Sequence, residues 1–323
     1  MTTSQSALFL VMVAVAFGTT LFVMGYISSH FQPIKDFELA LDSKNTEYQH
    51  PDPIRVDNYE SSCPSVLQKM TQGHWMAPGQ NIPTWTPSDP RCRPQQYNAS
   101  QACHLLDGGT IRFIGDSLLQ HIYIAFLMSV RGNFKDGGIR PSDTRVWKKI
   151  CSGMNMFTQT ACLGRLDTRP NICKGRVKLN LNKNLPQLIG EVTASLNTRK
   201  TLFVVGIDIR EDYNSTNVQI QYLKPTLDRL RKIGILWPKV LFVDMDAPGI
   251  MKRSDTQSKS NVLLFNRDME KFLKEYEVPV LKTFNMTEDV RSFDGTHYAL
   301  GVNVVKANVI LNYIQELSDA GVW

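Results

Sequence analysis

Ile111-Arg112-Phe113-Ile114-Gly115-Asp116-Ser117 reads as a short strand that ends in a tight turn and delivers a serine to the start of a helix. That helix is marked by Leu119, Ile122, Tyr123, Phe126, Leu127 and Val130, whose spacing of three and four residues places them on one face. The alternation continues downstream. Arg176 to Leu181 alternates and predicts an edge strand. Leu202-Phe203-Val204-Val205 is a continuous apolar run, as expected of a strand buried on both faces. A helix with Leu223, Leu227, Leu230 and Ile233 follows, with Pro225 in its first turn. Strand Val240 to Val243 comes next, then a helix with Phe265, Met269, Phe272 and Tyr276, then a short strand from Val278 to Leu281. The last helix carries the stripe Val302, Val305, Val309, Tyr313 and Leu317. Strands alternating with helices predict βαβ units and a mainly parallel sheet. Right-handed crossovers then close an α/β fold, a three-layer α/β/α sandwich.

Ligands of such sheets bind beyond the carboxyl ends of the strands. The Gly-Asp-Ser turn sits at such an end, and so does Asp294-Gly295-Thr296-His297, just before the last helix. Together they offer a nucleophile (Ser117), a base (His297) and a group to fix the base's tautomer (Asp294). A serine hydroxyl needs such a base to become nucleophilic, and the N–H groups at a helix start can stabilise an oxyanion. Each run has an ordinary reading too. Asp116 or Ser117 is a favoured helix N-cap, and Asp294-Gly295 is a common turn. Their order and context in one chain make the chemical reading the leading one.

The chain of 323 residues begins with an apolar run at residues 7–27 that holds no charged residue. Those 21 residues match the ~20 needed to span a hydrocarbon core as a helix. The expected organisation is a cytoplasmic tail at 1–6, an uncleaved signal anchor at 7–27, a stem at 28–58 and a lumenal domain at 59–318. Cleavage near Ser28 and Ser29 is the alternative, which would give a secreted protein. The charged flanks are too sparse to orient the segment. Three acceptor sequons, at Asn98, Asn214 and Asn285, point to a lumenal domain, as does the position of all six cysteines beyond the span. Cys63, Cys92 and Cys103 fall in an irregular, Pro- and Trp-bearing segment at 59–105, expected to be tied by disulfides. Up to three bridges are expected, in a pairing the spacing does not define. No Cys-x-x-Cys pair occurs, which argues against a zinc ribbon, and no metal site is expected.

The formal charge of +6 is spread along the chain, and the basic cluster from Arg145 to Lys149 reads as a solvated face. No basic stripe suggests nucleic-acid binding. No Gly-rich phosphate loop follows a strand, which argues against a nucleotide-binding protein.

The combination resembles the SGNH/GDSL-like hydrolase fold and, more closely, the PC-esterase family. That family includes trichome-birefringence-like proteins, the sialate O-acetyltransferase domain and the C-terminal domain of neurexophilin-and-PC-esterase proteins. The resemblance covers about residues 60–318. It rests on Cys63, Gly73-His74-Trp75, Cys92 and Cys103, on Ile111 to Ser117, on Asp294 to His297, and on Val302-Asn303-x-x-Lys306-Ala307. It implies Ser117, Asp294 and His297 as a triad, a Golgi or secretory-pathway location, and O-acyl, chiefly O-acetyl, chemistry on glycans. Two positions depart from the family. Relatives commonly carry an arginine three residues after the serine, where this chain has Gln120 followed by His121. Many also carry Gly-x-His after the second central strand, where this chain has Gly206-Ile207-Asp208. Gly115, Gly206, Gln120 and Asp208 are the expected oxyanion or substrate contacts. Whether water or a sugar hydroxyl accepts the acyl group is open. A transferase would need a donor such as acetyl-CoA and, since one anchor cannot carry it across a bilayer, a lumenal donor pool or a partner transporter. The competing expectation is a membrane-tethered, catalytically inactive protein of the same fold that binds a glycan or protein.

Overall fold

The computed structural model describes residues 63, 65–76, 84–207, 211–234, 236–249 and 257–323. The predicted tail, span and stem lie outside them, as does Asp208. No helix among the described residues is long and apolar enough to cross a membrane.

The strands are β1 (Gly73–Met76), β2 (Thr84–Pro87), β3 (Thr110–Ile114), β4 (Asn171–Ile172), β5 (Val177–Asn182), β6 (Thr201–Gly206), β7 (Lys239–Val243) and β8 (Val280–Leu281). The main helices are α1 (Ala99–Leu105), α2 (Ser117–Arg131), α3 (Leu188–Ala194), α4 (Lys224–Ile233), α5 (Lys259–Glu275) and α6 (Leu300–Asp319). Six strands form one sheet in the order β4-β5-β3-β6-β7-β8. All neighbours are parallel except the β4–β5 pair. The segment expected as an edge strand is therefore one place in from the edge. Two-residue β4 covers it, with Ile172 opposite Val177.

Side chains alternate across a strand, so a doubly covered sheet feeds two cores. In β6, Leu202 and Val204 join one apolar cluster with α2 and α6, while Phe203 and Val205 join another with α4 and α5. This is the layered α/β arrangement that the period of the sequence predicts. Helix α2 has every residue from Leu119 to Val130 buried, because α6 packs against its other side. Pro225 stands in the first turn of α4, as read from the sequence. The basic Arg145–Ile150 turn has no buried residue and is a solvated face.

The segment expected to be irregular contains an antiparallel hairpin, β1–β2, that packs by its tryptophans. Trp75 and Trp85 meet edge to face at 5.5 Å. The Trp75 Nε1–H donates to the Met286 carbonyl at 2.9 Å, and the Trp85 Nε1–H donates to that of Met70 at 2.7 Å. Disulfides join Cys63 to Cys92, Cys103 to Cys173 and Cys151 to Cys162. The second of these fastens α1 to the turn after β4.

Counted along the chain, the parallel strands β3, β5, β6, β7 and β8 lie in the spatial order 2-1-3-4-5. The order reverses between β3 and β6, and a crevice at the carboxyl ends there is where such sheets place their ligands. The seam is tight. A Cβ on Gly115 would stand 2.3 Å from the carbonyl oxygen of Gly206 and 2.9 Å from Leu119 Cδ2. Gly115→Ala is expected to lower the urea midpoint by the equivalent of about 1–3 kcal/mol with m unchanged. Gly190→Ala, on an exposed turn of α3 with open space around it, is the control and should be neutral or slightly stabilising. Equal midpoints for Gly115→Ala and wild type would mean that the strand ends do not touch.

Candidate active site

Ser117 follows β3 after Gly115 and Asp116, and is the first residue of α2. Asp116 occupies the N-cap position, but its side chain makes no capping hydrogen bond. The ordinary reading of this turn is therefore met only in backbone position. Ser117 is half-buried, while Gln120 and His121 in the same turn are 2% and 4% exposed. His121 lies one helical turn beyond Ser117, on the same face.

Asp294 and His297 lie in a narrow loop closed by an antiparallel bridge between Ser292 and Tyr298. Gly295 takes φ +92° at its tip, a conformation that glycine adopts without steric penalty. The Gly295 N–H donates to Ser292 Oγ at 2.7 Å. Asp294 Oδ1 accepts the backbone N–H groups of Thr296 at 2.9 Å and His297 at 2.8 Å, and Oδ2 lies 2.7 Å from His297 Nδ1. Burial works against a charge on Asp294. The His297 ring and the two backbone donors outweigh it and hold the carboxyl well below the usual range. An ionised Asp294 keeps the proton on Nδ1 and leaves Nε2 as the basic nitrogen. That Nε2 is buried and has no hydrogen-bond partner among the described residues.

The His297 ring lies against His121, with centroids 4.7 Å apart. It stacks on Phe293 at 5.8 Å, and Phe157 meets His121 edge-on at 5.2 Å. His121, one turn along α2 from Ser117, is thus the residue of that helix that meets His297. No hydrogen bond joins Ser117 and His297 among the described residues. Burial, reinforced by the neighbouring His297, pushes the His121 imidazole down to about 3, so it is neutral near pH 7. Its Nδ1 is buried without a partner among the described residues.

The other expected contacts divide. Gly206 ends β6 beside Ser117's turn, and a Cβ there would stand 3.2 Å from Leu119. The N–H of Gly115 donates to the carbonyl of Asn182 at 3.1 Å, so it is engaged in the sheet and does not face a ligand. Gln120 is in the buried first turn of α2. The sequon asparagines Asn214 and Asn285 are exposed, and Asn98 is half-buried. Asn98 and Asn214 cap helical turns through Oδ1, which leaves the amide nitrogen that a glycan would occupy outside the cap.

Sequence reading missed the surroundings of the site. A crevice beside Ser117's turn is lined by Leu118, Tyr213, Met245, Asp246, Gln257 and Thr296. The Thr296 hydroxyl is buried there with no partner among the described residues. Asp246 binds the buried Lys306. The one available signal was Lys306 itself, a charge set within the apolar stripe of α6. Among the described residues no group of three or more His, Cys, Asp or Glu side chains could hold a metal ion.

No protein-family model and no curated protein matches the sequence. Solved structures do match it. The acetylxylan esterase Axe2 from Geobacillus stearothermophilus aligns with 65% of this chain and 95% of its own, at 11% identity and a TM-score of 0.36. The carbohydrate acetylesterase Est24 from Sinorhizobium meliloti aligns with 65% of this chain and 99% of its own, at 12% identity and a TM-score of 0.37. A member of the lipolytic G-D-S-L family from Veillonella parvula aligns with 64% of this chain and 99% of its own, at 12% identity and a TM-score of 0.35. Likeness at this level does not assign a substrate to this chain.

Proposed function

We propose that this chain is a serine-dependent O-acyl esterase or transferase of the SGNH/PC-esterase type, acting on glycans from the lumenal side of a Golgi membrane. The observation that carries the reading is the Asp294–His297 pair. A carboxylate fixes the imidazole by Nδ1 at 2.7 Å, leaving a buried, unpartnered Nε2 on a ring that packs against His121, one turn along α2 from the serine at its start. In the proposed cycle, Ser117 Oγ attacks the acyl carbonyl and its proton passes to His297 Nε2. The N–H groups that open α2 stabilise the tetrahedral oxyanion. The alcohol leaves with the proton from His297, and Ser117 keeps the acyl group as an ester. His297 then deprotonates water or a sugar hydroxyl, which attacks that ester and releases Ser117. Acetyl is the expected acyl group, with acetyl-CoA as a candidate donor and a transporter as its source if the acceptor is a sugar. The apolar run at 7–27, the sequons and the three disulfides support a type II membrane protein with a lumenal domain.

A specific observation favours the second reading, an inactive glycan- or protein-binding member of the fold. Ser117 and His297 are not hydrogen-bonded among the described residues, and Gln120 stands where relatives carry a cation. Catalytic hydrogen bonds are often long before substrate binds, which keeps the enzyme reading ahead.

Exposure of the full-length protein to a fluorophosphonate probe, with the adduct located by mass spectrometry, separates the two. Labelling at Ser117 is expected, absent in Ser117→Ala, and slowed by about 10³-fold or more in His297→Ala and about 10²–10⁴-fold in Asp294→Asn. A folded wild-type protein that takes no label would overturn the enzyme reading in favour of the binding one.

The neutral His121 also has a signature in stability. Its native proton affinity lies far below that of an unfolded histidine, so between about pH 3 and 6.5 the unfolded chain binds the extra proton. Stability must therefore fall as pH drops through that window. His121→Phe is expected to flatten the loss of urea midpoint between pH 7 and 4.5 relative to wild type. Two parallel curves would mean that His121 takes up its proton in the native protein as it does in the unfolded chain.

A further inference from the structure

A second polar assembly lies behind the His297 loop and is not used in the proposed cycle. Lys306, in α6, is fully buried, and its Nζ donates to Asp246 Oδ1 at 2.6 Å and Oδ2 at 2.7 Å. Its ammonium also lies 5.5 Å from the centroid of the Tyr298 ring. Asp246 belongs to the segment that leaves β7, residues 244–249. That segment is fastened to the His297 loop and its surroundings at successive points. The Ala247 carbonyl accepts the Tyr298 hydroxyl at 2.6 Å, and the Ala247 N–H donates to Thr287 Oγ1 at 2.9 Å. The Gly249 N–H donates to the Gly295 carbonyl at 2.8 Å. Gly295 lies between Asp294 and His297, and Tyr298 follows His297 directly. Asn303 in α6 completes the link, donating through Nδ2 to the Tyr298 carbonyl at 2.8 Å.

Burying two charges is a poor way to gain stability, because apolar residues of similar volume often replace a buried ion pair at no loss. What an ion pair adds is a defined geometry, with both carboxylate oxygens fixed on one ammonium. We propose that the Lys306–Asp246 pair positions the proposed base: it fixes the 244–249 segment against α6, and through Tyr298 and Gly295 that segment sets where His297 stands beside His121. Both residues are positioning residues, since neither touches a reacting atom in the cycle above. The inference rests on His297 being the base of that cycle.

The test uses the full-length protein and a double variant, Asp246→Leu/Lys306→Met, which removes both charges and leaves neither orphaned. The position of His297 is read directly by NMR of ring-¹⁵N-histidine protein, from the low-field Nδ1 proton bonded to Asp294. The double variant is expected to keep its melting temperature within about 5 °C of wild type. Its His297 signal should shift upfield or broaden away, and fluorophosphonate labelling of Ser117 should slow at least tenfold. Tyr298→Phe, which removes one hydroxyl from the same assembly, should move the signal in the same direction by less. A stable double variant with the wild-type signal overturns the proposal, and so does one that fails to fold, because the pair would then serve stability. If wild-type Ser117 never labels, the acyl-transfer reading fails, while the NMR comparison still decides whether the pair positions His297.

Discussion

The arrangement of the site depends on the contact of Gly115 with the Gly206 carbonyl. At 2.3 Å, a side-chain carbon on residue 115 has no room. The two strands at the reversal of chain order can therefore run side by side to their last residues. The chain then turns at once into α2, with Ser117 at its first position. Every other part of the site comes from the same edge of the sheet: the segment after β7 carries Asp246, and the loop before α6 carries Asp294 and His297. Parallel strands make this convergence obligatory, since all their carboxyl ends lie on one side.

Convergence brings many polar groups into a poorly hydrated place, and each is handled by a separate physical device. Asp294 is kept charged by two backbone N–H groups and an imidazole, in spite of its burial. His121 is kept neutral by burial and by its neighbour. Asp246 is matched by Lys306. Asp244 goes the other way. Burial pushes its carboxyl up to about 7, although the N–H and hydroxyl of Thr283 both bond its Oδ1. These groups are oriented by the fold itself, which is the condition under which fixed dipoles stabilise a developing charge most effectively.

What could be read from the sequence was whatever is local. The period of α2, the apolar run of β6 and the Asp-x-x-His spacing each lie within a few residues, and each stands where the sequence predicts. What could not be read is set by contacts across the chain. Arg176 to Leu181 alternates like an edge strand, but only pairing reveals that β4 covers it. Trp75 and Trp85 looked like parts of an irregular segment until the hairpin aligned them. His121 entered the reading only as a departure from a family pattern. Its place against His297 comes from the packing of α2 on the loop before α6, which no spacing encodes. Lys306 entered the reading only within the family-like tail of α6, and its partner lies 60 residues away.

The same packing bears on the acceptor of the proposed cycle, water or a sugar hydroxyl. On one side His297 is walled by rings, with Phe293 stacked on it at 5.8 Å and His121 at 4.7 Å, itself closed off by Phe157. Nothing in that wall presents a side-chain oxygen to orient a water molecule. The crevice by Leu118, Tyr213 and Thr296 is small, about 10 Å³, and Asp246 in its wall has both carboxylate oxygens on Lys306. A space of that size holds a water molecule beside the unpartnered Thr296 hydroxyl and has no room for a sugar ring. An esterase needs only that water reach His297, whereas a transferase must keep water away until a sugar hydroxyl is seated. The rings close one side of His297, and in the proposed transfer reaction the crevice would have to open before a sugar could be seated there.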